Sequence, residues 1–383
     1  MTRLDRPRIQ EARDAALRVL LHNASGPFQG LPRTAGWGYP EPYTRDLLIS
    51  ALGILASGHP ELLASLRSVM ARLAENQSER GAIPSLVHDP GDRGASDTTP
   101  LFLLIVGILR REAGDPAYLE ASARKALTWM EYQTTDDRVM VTQLPTSDWR
   151  DEHWVLGHGL YVNALVYGYL RQLGFEDRAR ELQAAVNGPD DQVDARHPVE
   201  GLSIRGRSTY ALWSYKMLRD ERCDLLGNSL AILTGLAPPS RAQKMVAWIE
   251  SECETMRQHH ELALPLPPCF FPYVLPTDSD WRPRYALFNQ PGDYHNGGIW
   301  PFVCGFYVAA LVSTGRQRLA EERLNQLADL VKPAREAEVT YGFNEWFKAQ
   351  TGAPSGQDWQ TWSAAMFLYA AACVDQERVL FLA

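Results

Sequence analysis

The 383-residue sequence lacks several features that mark whole classes of protein. Its five cysteines are odd in number and scattered without a Cys-x-x-Cys pair, which argues against a disulfide framework and favours buried thiols in a reducing compartment. The first 23 residues carry charges throughout and lack the apolar core of a signal peptide. The longest apolar runs, such as residues 101–109, are too short to cross a bilayer. We therefore expect a cytoplasmic protein with no membrane contact.

Signals for several other functions are also missing. The net charge is -8 and no Lys/Arg cluster stands out, which argues against a nucleic-acid partner. There is no Gly-x-Ser-x-Gly elbow, no phosphate-binding glycine loop and no His-Glu-x-x-His pair among the nine histidines. We therefore expect neither a metal ion nor a cofactor. The 11 Trp and 15 Tyr residues suit a carbohydrate or another flat neutral ligand, although a large core would also use them.

Hydrophobic periodicity predicts about twelve helices of two alternating kinds. Six segments are apolar almost all the way round, as buried helices are, and the segments between them carry one apolar stripe. The six buried helices are predicted over residues 44–56, 97–109, 159–170, 225–236, 300–312 and 358–374. No linker divides the chain, so this alternation predicts one all-α domain over residues 1–383, an (α/α)6 toroid of six inner and six outer helices. In such a toroid the loops before the inner helices meet at one end.

The stretch Tyr294-His295-Asn296-Gly297-Gly298-Ile299-Trp300-Pro301 precedes one of the predicted inner helices. Paired glycines let the backbone approach a ligand closely, and Asn and His offer directional hydrogen bonds. Tyr and Trp offer flat faces for a sugar ring. Taken alone, the stretch could equally be a glycine-rich turn before a buried helix. Polar and aromatic loops recur ahead of the other inner helices, however, and this recurrence indicates one organised site.

Carboxylates accompany these loops, at Asp46, Asp97, Asp151, Asp224, Asp293 and Glu345. Glycoside hydrolysis uses two carboxyl groups, one to protonate the leaving oxygen and one to activate water or attack the sugar. Each acid also has a plainer interpretation. Asp97 could be a helix N-cap, Asp46 a first-turn acid facing the helix dipole, and Glu345 a surface acid.

The motif that begins at Tyr294 resembles the Tyr-His-Asn-Gly-Gly-Ser-Trp-Pro signature of glycoside hydrolase family 100, the neutral and alkaline invertases. Other segments follow in the same order as in that family: Arg45-Asp46 is similar to its Arg-Asp pair, Asp151 to its Asp-Arg-Arg loop, Leu226-Gly227-Asn228 to its Leu-Gly-Asn turn and Gln360-Thr361-Trp362 to its Gln-Thr-Trp segment. Asp97 and Glu345 fall where the family places its general acid and general base. The resemblance spans about residues 37–369.

Two departures weaken sucrose as the substrate. Pro40-Glu41 follow Tyr39 where family 100 has Asp-Gln. The segment Ser96-Asp97-Thr98-Thr99-Pro100-Leu101-Phe102 replaces Val-Asp-Ser-Gly-Leu-Trp-Trp and is nearer to family 63 α-glycosidases and to the glucosidase domain of glycogen-debranching enzymes. The resemblance therefore supports the catalytic pair better than it supports sucrose.

The resemblance implies an invertase-like, inverting α-glycosidase that hydrolyses a small soluble α-glycoside, sucrose or another α-glucoside or α-mannoside. Asp97 would be the general acid and Glu345 the general base. The expected substrate-binding residues are Trp37, Tyr39, Arg45, Asp46, Trp149, Asp151, Tyr294, His295, Asn296, Gly297, Trp300 and Gln360.

Two alternatives stay open at this point. A sugar epimerase of the N-acylglucosamine 2-epimerase type shares the barrel but uses a histidine pair, and here only His295 is well placed. A non-catalytic carbohydrate-binding toroid is the other. The sequence leaves open which sugar is bound, and it leaves open the oligomeric state, a homo-oligomer included.

Overall fold

The computed structural model describes residues 4–134, 139–188, 201–216, 218–336 and 338–382, and these are predominantly helical. The helices in chain order are α1 (Arg6–Asn23), α2 (Thr44–Ser57), α3 (Pro60–Glu75), α4 (Thr98–Ala113), α5 (Glu120–Tyr132), α6 (Leu160–Gln172), α7 (Glu176–Asn187), α8 (Leu225–Leu233), α9 (Pro239–Gln258), α10 (Tyr285–Phe288), α11 (Pro301–Ser313), α12 (Gln317–Leu330) and α13 (Thr361–Gln376). The all-α class predicted from the sequence is confirmed.

Short strands lie in the loops between the helices. They are β1 (His158–Gly159), β2 (Trp213–Tyr215), β3 (Leu218–Asp220), β4 (Cys223–Asp224), β5 (Phe270–Phe271), β6 (Trp346–Phe347) and β7 (Pro354–Ser355). All pairings are antiparallel: β1 with β2, β2 with β3, β4 with β5, and β6 with β7. These loops bury much of their backbone, and strand pairing supplies the hydrogen bonds that buried backbone requires.

Helices α2, α4, α6, α8, α11 and α13 are buried on nearly every side. Each packs against the next in that order, and α13 packs against α2. The remaining long helices bury one stripe each, as when α3 packs against α2 and α9 against α8. None of the helices among the described residues combines the length and apolarity that a bilayer span requires.

The contact between α2 and α13 requires a glycine. A Cβ atom at Gly53 would lie 1.8 Å from the backbone oxygen of Ala365, a distance that no side chain can occupy. Gly53 therefore lets the two helix backbones approach closely, at the modest cost that glycine carries inside a helix. The first buried helix in the chain is joined to the last in this way.

The predicted bounds of the buried helices agree with the structure to within a few residues. Helix α13 begins at Thr361 and not at the predicted residue 358. The carboxylate of Asp358 instead accepts hydrogen bonds from the backbone amides of Arg335 and Glu336 and from the side chain of Asn344. Asp358 thus joins three loop segments before the helix starts.

A buried ion network joins the segment before α6 to the start of α8. The guanidinium group of Arg150 is fully buried and lies 3.0 Å from Asp148 Oδ2 and 2.9 Å from Asp224 Oδ2. Gln143 donates a further hydrogen bond to Asp148, at 3.1 Å. Two carboxylates share one cation here, so removal of the cation leaves both charges without compensation in a medium of low polarity.

We predict that Arg150→Met lowers the free energy of unfolding by about 3–5 kcal/mol, the usual cost of removing one partner from a buried ion pair. Denaturant titration followed by circular dichroism measures the change. Arg8→Met is the matched control, because Arg8 forms a surface pair with Asp329 and the side chains are 37% and 56% exposed. The control should change stability by less than about 1 kcal/mol. Equal effects of the two substitutions would contradict the role given to Arg150.

Candidate active site

The loops that precede the buried helices meet at one end of the helical ring. Arg45, in the first turn of α2, reaches Asp97 at the start of α4, with Nε 2.5 Å from Oδ2 and Nη2 3.1 Å from Oδ1. The hydroxyl group of Tyr161, from the first turn of α6, donates to the same Oδ2 at 3.3 Å. Helix N-termini carry partial positive charge, so their convergence favours carboxylates at this end.

The side chain of Asp97 is fully buried. Burial raises the pKa of its carboxyl group, and the guanidinium group of Arg45 opposes that rise. Both carboxylate oxygens contact Arg45, and one also accepts from Tyr161. The group is therefore held in place by its protein partners and has no exposed surface for a ligand to contact.

Asp46 and Glu345 form a second, more open pair of carboxylates. Their residues are 7% and 6% exposed, and burial raises the pKa of each to about 7. The negative charge of Asp46 adds to the rise at Glu345. Glu345 Oε2 accepts a hydrogen bond of 3.0 Å from the backbone amide of Gln357, and the side chain of Gln360 also bonds to Glu345. Glu345 is thus oriented by the loop that leads into α13.

Asp151 stands at the mouth of the site. Its side chain is 60% exposed, and Oδ1 lies 4.0 Å from Nδ1 of His295. Nearby protein atoms partly desolvate the carboxyl group and raise its pKa, although Arg45 opposes the rise. Asp151 is therefore the carboxyl group in the cluster that an incoming ligand can most readily touch.

Tyr39 lies among these carboxylates and is 36% exposed. The charge of Glu345, followed by burial and the charge of Asp151, raises its pKa to about 12. The phenol stays protonated at neutral pH and offers a hydrogen-bond donor beside Glu345. Trp37, two residues earlier, is 56% exposed and packs on Trp359 with ring centroids 4.9 Å apart. The structure therefore places both residues where a ligand can reach them.

Two of the expected stacking residues, Trp149 and Trp300, are instead buried. They are 2% and 1% exposed, and their rings meet edge to face at 5.4 Å. His295 stacks between Trp300 and Tyr294, at centroid distances of 5.4 Å and 3.9 Å. The two tryptophans thus form a wall behind His295, whereas Tyr294 is partly exposed.

Asn296 and Gly297 shape the backbone of the motif. The amide of Asn296 is completely buried: Oδ1 accepts from the backbone nitrogen of Val274, and Nδ2 donates to the backbone oxygens of Val274 and Asn289. Asn296 was expected to hold a sugar hydroxyl, but these bonds use its hydrogen-bonding capacity within the protein. Gly297 has a φ of +110°, and a Cβ atom there would lie 2.2 Å from the ring of Tyr273. Only glycine fits this position.

Three residues that contact the site were not predicted from the sequence. Gln357 holds Glu345 through its backbone amide, and no side-chain pattern reveals such a contact. Tyr161 and Asn289 contact the site from an apolar helix and from a proline-rich loop, respectively. The only available signal was polarity at a position where the helix pattern predicts burial, as at Tyr161. No group of three or more His, Cys, Asp or Glu side chains within the described ranges is arranged to hold a metal ion.

A separate cavity of about 840 Å³ opens between the 77–96 loop and the end of α5. Its lining includes Ser96, Gln143 and Ser147, but not Asp46, Asp151 or Glu345. Ser96 and Ser147, which both line the cavity, are hydrogen-bonded to each other. The cavity is therefore distinct from the candidate active site.

Sequence comparison places one part of the chain near a known family. Residues 216–377 match the model of the family described as alkaline and neutral invertase, which is less than half of the chain. Cytosolic invertase 1 of Oryza sativa subsp. japonica is 31% identical over 160 residues, which are 39% of this chain and 25% of that protein. Probable alkaline/neutral invertase F of Arabidopsis thaliana is 30% identical over 167 residues, 41% of this chain and 30% of that protein. The chain thus matches only a quarter to a third of the length of these relatives.

Structural comparison covers nearly the whole chain. The family 63 mannosylglycerate hydrolase of Thermus thermophilus, solved with Tris and D-glycerate, has a TM-score of 0.64 over 93% of this chain and 99% of its own, at 18% identity. A wild-type glycosidase structure has a TM-score of 0.61 over 95% and 96%, at 17% identity. The resemblance drawn from the motif at Tyr294 is confirmed: residues 216–377 are similar in sequence to the alkaline and neutral invertases, and the described chain shares its fold with family 63 glycosidases.

Proposed function

We propose that the protein is an inverting glycoside hydrolase that acts on a small α-glycoside. The observation that carries the proposal is the arrangement of Glu345, which is buried and held by the Gln357 amide in a site whose mouth carries Asp151. Both carboxyl groups interact electrostatically with Tyr39. The similarity of residues 216–377, which include Glu345, to alkaline and neutral invertases supports the reaction class.

We also propose that the architecture is an (α/α)6 toroid. The closed sequence of contacts through α2, α4, α6, α8, α11 and α13 supports an inner ring of six helices. The six helices with one buried stripe would form the outer ring. In this arrangement the inner helices point their N-termini at the site, which accounts for the carboxylates gathered there.

Glu345 is the proposed general base. Its pKa of about 7 leaves a large fraction of the carboxylate ionised at neutral pH, and a base with this pKa is matched to proton abstraction from water. The Gln357 amide fixes Oε2 and so orients the carboxylate that takes the proton from water. The attacking water would lie between Glu345 and the anomeric carbon.

Asp151, and not Asp97, is the proposed general acid. Asp97 was expected in this role from the sequence, but its carboxylate is fully buried and both oxygens contact Arg45. A glycosidic oxygen has no route to it. Asp151 is open at the mouth, and its pKa is raised by partial desolvation, so a larger fraction keeps the proton that an acid must donate. Asp97 would then hold Arg45 in place.

The remaining polar groups suit the hydroxyls of a sugar. Asp46, Arg45 and the Tyr39 phenol each interact electrostatically with the proposed acid or base, and the side chain of Gln360 bonds to Glu345. Tyr294 and the exposed Trp37 offer flat faces to a ring. Inversion requires room for a water molecule, and in such enzymes the two carboxyl groups are about 6.5–9.5 Å apart.

We predict that the purified protein releases the aglycone from at least one member of a panel of α-glucosides and α-mannosides that includes sucrose. Proton NMR during the first minutes should show the β anomer of the released sugar, because water attacks the face opposite the leaving group. An α product would contradict inversion. Conversion of one sugar to its epimer without aglycone release would favour the epimerase, and binding without turnover would favour a carbohydrate-binding protein.

Substitution of each carboxyl group should separate their roles. Glu345→Gln should lower kcat by about 10²–10⁴-fold, the usual contribution of a general base. Asp151→Asn should cause a similar loss on glycosides with poor leaving groups but only a small loss on the glycosyl fluoride, because fluoride departs without protonation. Asp97→Asn should affect both substrates equally by loosening Arg45, and Asp329→Asn, at an exposed acid, serves as the control. If Asp97→Asn shows the leaving-group dependence in place of Asp151→Asn, the assignment is reversed.

The pH profile should reveal the pair Asp46 and Glu345. The base must be ionised, so kcat/KM should fall as the pH drops through about 7, the pKa to which burial raises Glu345. Asp46→Asn removes a neighbouring negative charge, which makes Glu345 easier to ionise. The acid limb of the profile should therefore move to lower pH even though the variant is slower. A limb that stays in place or moves to higher pH would show that Glu345 does not control it.

A further inference from the structure

Asn289 joins the two loops that carry Asp151 and His295. The residue is 1% exposed. Its Nδ2 donates to the backbone oxygen of Glu152 at 2.6 Å, and its Oδ1 accepts from the backbone nitrogen of His295 at 2.9 Å. The backbone oxygen of Asn289 also accepts from Asn296, at 3.0 Å. One side chain thus links the segment beside Asp151 to the glycine-rich motif.

Residues 284–289, the segment that contains Asn289, hold the Asp151 loop at two further points. Arg284 pairs with the carboxylate of Glu152, and the hydroxyl of Tyr285, in α10, accepts from the backbone nitrogen of Trp154 at 2.9 Å. The backbone on the C-terminal side of Asp151 is therefore held by residues 284–289. The Asp151 carboxyl group, in contrast, has no hydrogen bond to another described residue, and its nearest partner is His295 Nδ1 at 4.0 Å.

His295 is immobilised on the other side. Its ring lies between Tyr294 and Trp300, and its backbone is held by Asn289. The ring is 1% exposed, yet Nδ1 has no hydrogen-bond partner among the described residues. A buried nitrogen without a partner carries a cost unless it is used. Because Asn289 bonds to both loops, it sets the separation between this nitrogen and the Asp151 carboxyl group.

We infer that Asn289 is a positioning residue that holds the Asp151 carboxyl group against His295, in place to protonate the leaving oxygen. The inference rests on the proposed function and on Asp151 as its acid. Without the Asn289 amide, the Glu152 backbone loses this hydrogen bond, and the Asp151 side chain, which is 60% exposed, is no longer held near His295 and can move further into solvent. Binding of the sugar by Asp46 and Arg45, which come from α2, does not depend on this tie.

The loss of the Asn289 hydrogen bonds should also change the dependence of kcat on pH. Charged and titratable groups from several elements interact with Asp151. They are Arg45 and Asp46 of α2, Tyr39 and Tyr43 before it, Asp97 at the start of α4, Asp148 and Glu152 of the Asp151 loop, Arg284, Tyr294, His295 and Glu345. Partial desolvation by the surrounding protein is the main reason that the pKa of Asp151 is raised. A carboxyl group that turns toward solvent loses its proton at lower pH, so the alkaline limb of kcat should move to lower pH.

The test compares Asn289→Ala with the wild-type enzyme on two substrates of the same sugar, an alkyl glycoside and the glycosyl fluoride. We expect kcat for the alkyl glycoside to fall roughly 100-fold, the loss that a displacement of about 1 Å can cause. KM should change far less, the alkaline limb should move to lower pH, and hydrolysis of the fluoride should be nearly unchanged. Asn289→Asp keeps the acceptor for the His295 amide but loses the donor to Glu152, so it should lower kcat for the alkyl glycoside similarly.

Asn187→Ala is the matched control. The Asn187 side chain also forms several hydrogen bonds, to Gln183, Leu236 and Tyr210, but it lies at the end of α7. The Asn187→Ala variant should be less stable than the wild-type enzyme, but the ratio of its activities on the alkyl glycoside and the glycosyl fluoride should not change. Equal losses on both substrates in Asn289→Ala, or an unmoved alkaline limb, would overturn the inference. Failure of the wild-type enzyme to hydrolyse any glycoside would instead overturn the proposed function.

Discussion

The organisation of this end of the molecule depends on the burial of negative charge next to a few fixed cations. Arg45 and Arg150 hold Asp97, Asp148 and Asp224 in places that water does not reach. An unpaired carboxylate at such depth would be costly, and helix N-termini together with guanidinium groups make the burial tolerable. Because the Arg45–Asp97 and Arg150–Asp224 pairs join the segments that open different helices, the contacts that neutralise charge also help to fix the geometry of the site.

The environments of the carboxyl groups separate them into different roles. Those with both oxygens bound to a guanidinium group, such as Asp97, act as structural anchors. Those without a bound guanidinium group, such as Glu345 and Asp151, differ from Asp97 in their partners and not in the direction of the pKa shift, because desolvation raises the pKa of all three. Under the proposed function, side chains of the same chemical type would serve as anchor, base or acid according to what surrounds them, as is common where proton transfer is tuned.

The residues of the site come from two halves of the chain, and only the C-terminal half has detectable sequence similarity to a known family. The segment from residue 216 to 377 contains Glu345 and the glycine-rich motif, and it matches a family in sequence. Asp46, Asp97 and Asp151 lie outside that match, and only the fold relates them to solved glycosidases. The ion pairs explain how the halves are joined, since Arg150 of the first half contacts Asp224 of the second. A site assembled across both halves can retain its geometry while the sequence of one half diverges.

The sequence alone determined the helical class, the six apolar helices and the glycine-rich motif, because periodicity and local residue types carry that information directly. It also identified Asp46, Asp151, His295 and Glu345 as candidate site residues. Tertiary structure decided which of the acids are buried and paired and which are exposed. Asp97 precedes an apolar helix just as a catalytic acid could, and only the position of Arg45, 52 residues earlier in the chain, shows that both of its oxygens are occupied. Likewise, Trp149 and Trp300 have the composition of a sugar platform, and only packing shows that they lie behind His295. Contacts between residues distant in sequence depend on how the helices assemble, and no local pattern encodes them.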